Sequence, residues 1–96
     1  MNKYEIMFIV KPDLEESNIK SVVSSMKEVV ESCGAKVLEE KEMGQRELAY
    51  EINNYKMGYY FLLVVESSNN DATSEFDRVA LINENIIRHL IVKVEE

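Results

Sequence analysis

Apolar and polar positions fall into six blocks along the chain. Lys3 to Val10 (KYEIMFIV) packs β-branched and aromatic residues into one run and stops at Lys11-Pro12-Asp13, where proline withdraws a ladder donor, so a strand is predicted here. Behind it Ile19, Val22, Val23, Met26, Val29, Val30 and Cys33 recur at helical spacing. Asp13 with Glu16 three residues on forms a capping-box pattern, and Gly34 suits the left-handed position just past a helix end, so a helix is expected from about Leu14 to Cys33. Ala35 to Ile52 reads as a second strand too long to stay flat, bent at Gly44. Asn53, Asn54 and Gly58 bracket a turn before the uninterrupted apolar run Tyr59 to Val65, a buried third strand. Ser67-Ser68-Asn69-Asn70 breaks that strand. A second helix then carries Ala72, Phe76, Val79 and Ala80 on one stripe, with Asp71 and Glu75 near its positive end, and is closed by Asn83 and Asn85. Ile86 to Val94 (IIRHLIVKV) is the fourth strand.

The order β-α-β-β-α-β, without linker, repeat or low-complexity segment, defines an α+β domain of ferredoxin-like type spanning residues 1–96. Right-handed crossovers place both helices on one face of a four-stranded antiparallel sheet, which leaves the other face without helices. A water-facing sheet should alternate apolar with polar residues, yet strands one and three are apolar at both parities. With Ile6, Phe8 and Val10 toward the helices, Met7 and Ile9 point away; with Phe61, Leu63 and Val65 inward, Tyr60, Leu62 and Val64 point away. The open face therefore predicts a docked partner, through Met7, Tyr60, Leu62 and Val64.

Composition sharpens this expectation. The 96 residues are 46% hydrophobic and 30% charged, enough for one core and too apolar for a disordered chain. Eleven Lys and Arg against eighteen Asp and Glu leave a net charge of −7, which argues against autonomous, charge-driven binding to nucleic acid and for a protein partner. A single cysteine, Cys33, has no intramolecular partner and fits a reducing cytoplasm. The apolar run Ile6 to Val10 is too short for a signal-peptide core or a membrane span, so no membrane partner is expected.

Five segments resemble the bacterial small-subunit ribosomal protein S6 family: KYEIMFIVKP at 3–12, GAKV at 34–37, GQRELAYEI at 44–52, GYYF at 58–61 and IIRHLIVK at 86–93. The most specific is the pattern G-x-[RK]-x-L-A-Y from Gly44 to Tyr50, followed at a fixed distance by Gly58-Tyr59. The family often has Trp before that glycine and more basic residues after it, where Met43, Gln45 and Glu47 stand here, leaving Arg46 as the segment's one cation. The resemblance implies a non-enzymatic structural role on the ribosome: binding the central domain of small-subunit ribosomal RNA as a heterodimer with the basic ribosomal protein S18. A basic partner would also reconcile an acidic protein with an RNA assembly, by supplying most of the phosphate neutralisation.

Other functions are weighed residue by residue. Strand three resembles, weakly, the aromatic strand of RNA-recognition motifs, which bind single-stranded RNA; that reading needs Tyr59 and Phe61 on the open face and lacks the expected basic residue at Met57. An acylphosphatase-like enzyme needs an arginine in the loop after strand one, where Lys11-Pro12-Asp13 stands. A stand-alone regulatory domain binding a small molecule shares the topology, but no small-molecule substrate, cofactor or metal is expected. His89 is the only histidine and reads as a packed strand residue; Glu15-Glu16 and Glu39-Glu40 read as solvated surface, since adjacent acids point in different directions. Among the cations Lys3, Lys11, Arg46, Arg78, Arg88 and Lys93, the expected RNA contacts are Lys3, Arg88 and Lys93, converging along neighbouring strands one and four, with Arg46 as a further contact.

Overall fold

A computed structural model describes residues 2–52, 54–68 and 70–94. The elements follow in the expected order: β1 (Asn2–Val10), α1 (Glu16–Ser32), β2 (Lys36–Ile52), β3 (Tyr55–Ser67), α2 (Asp71–Ile82) and β4 (Ile86–Val94). The four strands make one antiparallel sheet in the spatial order β2-β3-β1-β4, so the apolar strands β1 and β3 are central and the more polar β2 and β4 take the edges. Central strands must be covered on at least one face, and the two helices supply that cover.

The helix-side core forms from alternate residues of the central strands, Tyr4, Ile6, Phe8 and Val10 with Phe61, Leu63 and Val65. Ile19, Val22, Val23, Met26 and Val30 of α1 and Ala72, Phe76 and Ala80 of α2 close it from above. Phe8 lies at its centre, stacked on Phe61 with ring centres 5.5 Å apart and tilted against Phe76 at 5.7 Å. The small residues Ala72 and Ala80, one turn either side of Phe76, let α2 approach closely enough to insert that ring.

Helix α1 ends as its sequence requires. Gly34 adopts φ +87°, the N–H of Ala35 donates to the carbonyl of Val30 at 3.1 Å, and that of Gly34 to the carbonyl of Glu31 at 3.0 Å. These two bonds make a Schellman motif, and a side chain at 34 would oppose its left-handed backbone. The start of α1 differs from expectation. The N-cap is Glu15, whose carbonyl accepts from the N–H groups of Asn18 and Ile19, and no side chain caps the helix. Asp13 is engaged elsewhere, accepting a hydrogen bond from the Tyr55 hydroxyl at 3.3 Å, while the N–H of Lys11 donates to the Asn85 carbonyl at 3.0 Å. Both long-range bonds hold residues 11–13 in a turn, so the capping box between Asp13 and Glu16 does not form.

The β2–β3 hairpin is longer than expected. Asn53 lies outside the described residues; Asn54 takes φ 70°, a left-handed value that asparagine tolerates. Gly58 does not belong to the turn but sits inside β3, paired with Arg46. A Cβ placed on Gly58 would stand 2.3 Å from Ile9 Cγ2 and 3.4 Å from the Val10 carbonyl oxygen, so glycine serves close packing there. Because Ile9 is β-branched and buried, its methyl can swing aside only by leaving its preferred χ1 rotamer in a packed site. Gly58→Ala should therefore destabilise the domain by about 1–3 kcal/mol in urea unfolding. Truncating Ile9 to Ala in the same chain should recover part of that loss, and a strictly additive double variant would disprove the contact as the cause.

Candidate nucleic-acid and protein interface

Strand register assigns every residue of the sheet to a face. Met7 stands opposite Leu62 on one side and Leu90 on the other, and Ile9 stands between Tyr60 and Arg88. Together with Val64 and Val92, across from Glu5, these residues make a continuous apolar surface on the side away from the helices. Met7, Tyr60, Leu62 and Val64 are half-buried, while Leu90 and Val92 are 57% and 46% exposed. That exposed pair extends the predicted patch outward onto the edge strand. A shallow depression of about 290 Å³, lined by Met7, Ile9, Tyr60, Leu90, Arg88 and His89, lies within it.

Ile9 is only 8% exposed, although no helix covers it. It is paired between Tyr60 and Arg88, and its Cγ2 methyl packs against Gly58. Between Glu47↔Met57 and Ile52↔Tyr55 the register jumps, setting Leu48, Ala49, Tyr50 and Glu51 against Lys56 alone, four residues against one. The bulge curls the end of β2 out of the sheet plane. Arg88 Nη1 donates to the Tyr50 hydroxyl, and its guanidinium carbon lies 5.9 Å from the Tyr50 ring centre. β2 and β4 are opposite edges, three strand spacings or roughly 14 Å apart in a flat sheet, so this contact brings the curled hairpin end toward β4. Leu48 is 7% exposed at the root of that curl.

The same register places the cations. Arg88 and Lys3 face the open side from β4 and β1, and Arg46 and Lys41 face it from β2. Arg46 and Arg88 share one end of the sheet. Lys3 lies six residues along β1 from Ile9, the partner of Arg88, or roughly 20 Å away, opposite Glu66. Lys93, opposite Tyr4, points to the helix side. The expected convergence of Lys3, Arg88 and Lys93 on one edge is therefore corrected. Positions 88 and 93 differ by an odd number, and in a pleated strand that puts them on opposite faces.

The remaining candidates have structural surroundings. His89 packs on the helix side, its ring centre 6.1 Å from that of Phe76 in an inclined contact and its Nε2 2.6 Å from an Asp77 carboxylate oxygen. Cys33 is half-buried against the core. Tyr59 and Phe61 also face the helices, Phe61 as part of the core, so they offer no surface for base stacking and the RNA-recognition-motif reading is overturned. Glu15, Glu16, Glu39 and Glu40 are exposed. A hydrogen bond from Lys27 to Glu40, with the charge attraction behind it, raises the lysine's pKa; the hydrogen bond from Arg78 lowers that of Glu75. Both pairs are surface pairs that salt screens. Among the described residues no three His, Cys, Asp or Glu side chains converge as a metal site, and no helix is long and apolar enough to cross a membrane.

A split β-α-β-β-α-β sheet with helices on one face and an apolar, cation-rimmed surface on the other defines a small binding module of the ferredoxin-like class. The family model described as ribosomal protein S6 matches residues 3–93. The fold superimposes with a TM-score of 0.92 on the crystal structure of 30S ribosomal protein S6 from Thermotoga maritima, at 26% sequence identity, over 97% of this chain and 87% of that one. The chain belongs to the ribosomal protein S6 family. It is accordingly a non-catalytic, structural RNA-binding protein of the ribosome rather than an enzyme.

Lys41, Leu90, Val92 and the reach of Tyr50 to Arg88 were absent from the expected site. Leu90 and Val92 follow from alternation along β4, a signal present in the sequence, whereas Lys41 faces the open side because the register shift between Val37 and Glu39 reverses the alternation of β2. The reach of Tyr50 depends on a register jump that no local pattern announces.

Proposed function

We propose that this protein joins the central domain of small-subunit ribosomal RNA in the cytoplasm as a heterodimer with the basic ribosomal protein S18. The whole chain acts as one domain. Its helix-free face is the docking surface for the partner, with Met7, Tyr60, Leu62 and Val64 at the centre. The observation that carries this reading is that face itself. An apolar surface spanning three strands, on a protein of net charge −7, calls for a cover that is apolar where it meets the sheet and positive where it meets the RNA.

RNA contacts are assigned to Arg88 and Arg46 at one end of the open face, to Lys3 at the other, and to Lys93 as a separate contact on the helix side. The deciding experiment compares binding of ribosomal RNA by the purified protein alone and with the basic partner added. Strong binding should require the partner; full affinity by the free acidic chain would overturn the heterodimer reading.

Arg88→Ala in the preformed heterodimer should weaken RNA binding and reduce the slope of log affinity against log salt by about one, with little change in sequence preference. Folding should be affected by no more than about 1 kcal/mol, because an exposed cation–π and hydrogen-bonded contact is all that the fold loses. If affinity and slope both match wild type, Arg88 is ordinary surface.

A further inference from the structure

Tyr50 is 61% exposed, yet it is held in place. The Arg88 guanidinium grips its hydroxyl end, with the guanidinium carbon at the outer limit of cation–π distance, 5.9 Å from the ring centre. One face of the ring lies toward that guanidinium, and more than half of the residue is open to solvent. The hydroxyl accepts from Arg88 and retains its own proton for donation. On the same face and at the same end of the sheet Arg46 is exposed, its Nε donating to the Met43 carbonyl at 3.3 Å. An exposed aromatic ring held by one arginine, with a second arginine at the same end of the sheet, matches the chemistry of an unpaired nucleotide, whose base offers a π-face and whose flanking phosphates are negative.

We propose that Tyr50 stacks an unpaired base of the bound RNA, with Arg88 and Arg46 taking the phosphates on either side. The inference rests on the RNA reading above and adds to it a nucleotide site on the hairpin end. Holding the ring before RNA arrives removes part of the ordering cost of stacking. The contact joins a ring from the β2 edge to an arginine on the β4 edge, so the site exists only in the folded domain. A base stacked there adds affinity without adding ionic contacts, which separates Tyr50 from the arginines experimentally.

The test uses the heterodimer at saturating partner and small-subunit ribosomal RNA, with Tyr50→Leu, Tyr50→Phe and Arg88→Ala compared with wild type in affinity and salt slope. Stacking predicts that Tyr50→Leu lowers RNA affinity on the order of 5- to 150-fold with an unchanged slope. Tyr50→Phe, which keeps the ring but loses the bond that holds it, should fall between wild type and Tyr50→Leu with an unchanged slope. If Tyr50→Leu matches wild type while Arg88→Ala loses affinity and slope, the RNA edge stands and the stacking site is refuted. If Tyr50→Phe is as damaging as Tyr50→Leu and lowers the slope, the residue only positions Arg88. If Tyr50→Leu weakens heterodimer formation but not RNA binding by the saturated complex, the ring belongs to the protein partner. If neither Tyr50→Leu nor Arg88→Ala has an effect, the RNA edge itself lies elsewhere and the stacking site falls with it. Thermal melts of the free variants complete the design, since an exposed position should leave the melting temperature nearly unchanged.

Discussion

Leu62→Asp should all but abolish binding of the basic partner while the isolated domain stays folded. Leu62 is half-buried in the free protein, with Met7 across one strand boundary and Lys41 across the other. A carboxylate there keeps access to water and gains a cross-strand cation, a pairing of roughly 0.2–1 kcal/mol that offsets part of the lost apolar packing. In the heterodimer the same carboxylate would be sealed under a partner. The effective penalty for burying one unpaired ion is several kcal/mol, so a loss of 3–5 kcal/mol, or on the order of 100- to 5000-fold in affinity, is expected. Titration calorimetry against the partner measures this, with circular dichroism of the free variant as the control. Retention of near-wild-type affinity would mean that the partner sits elsewhere. An unfolded variant would mean that Leu62 belongs to a core, against the parity set by its pairing with Met7.

Phe76→Ala should be the most destabilising single truncation in α2, and its effect should fall on folding. The ring is fully buried, touches Phe8 and meets the His89 ring at an incline, and the alanines one turn away on either side cannot fill the space it leaves. Deleting a buried phenylalanine costs about 3–5 kcal/mol through lost burial and the residual cavity. For a domain of this length total stability is on the order of 5–15 kcal/mol, so the variant forfeits a large fraction of it. The melting temperature should drop by roughly 12–40 °C. Partner binding measured well below that lower transition should be nearly normal, because the open face lies on the other side of the sheet. A loss under 1 kcal/mol would show that α2 repacks around the gap.

These two variants test opposite faces of one sheet, and the two faces differed in how far they could be read in advance. Local signals sufficed where one residue class dominates a segment. Strand β4 begins at Ile86 and ends at Val94 as its apolar run does, and the stripes of α1 and α2 contain the apolar residues that are buried, though not Thr73. They misled where a long-range bond competes with a local one. Asp13 has the chemistry of an N-cap, but the Tyr55 hydroxyl, 42 residues away in the chain, holds it in the preceding turn. Gly58 has the chemistry of a turn, but the turn closes earlier and the glycine is required by the nearness of Ile9. The separation of Lys93 from Arg88 belongs to a third kind: it was legible from alternation along β4, and only register with β1 made the face assignments unmistakable.

What the amino-acid sequence determined by itself was the order of elements, the two-faced apolar character of β1 and β3, and the absence of a charge surplus for binding RNA alone. These properties depend on residue type and on spacing within one element, where period and composition act directly. Family resemblance, carried by segments such as Gly44 to Tyr50, was readable at the same level. The tertiary structure alone decided that the end of β2 leaves the strand register and that Tyr50 meets Arg88 from the opposite edge of the sheet. The physical reason is that a register jump of four residues against one redirects the chain by an amount set by pairing between strands. Contacts between residues 38 positions apart are then made by the geometry of closure, which no periodicity within either strand encodes.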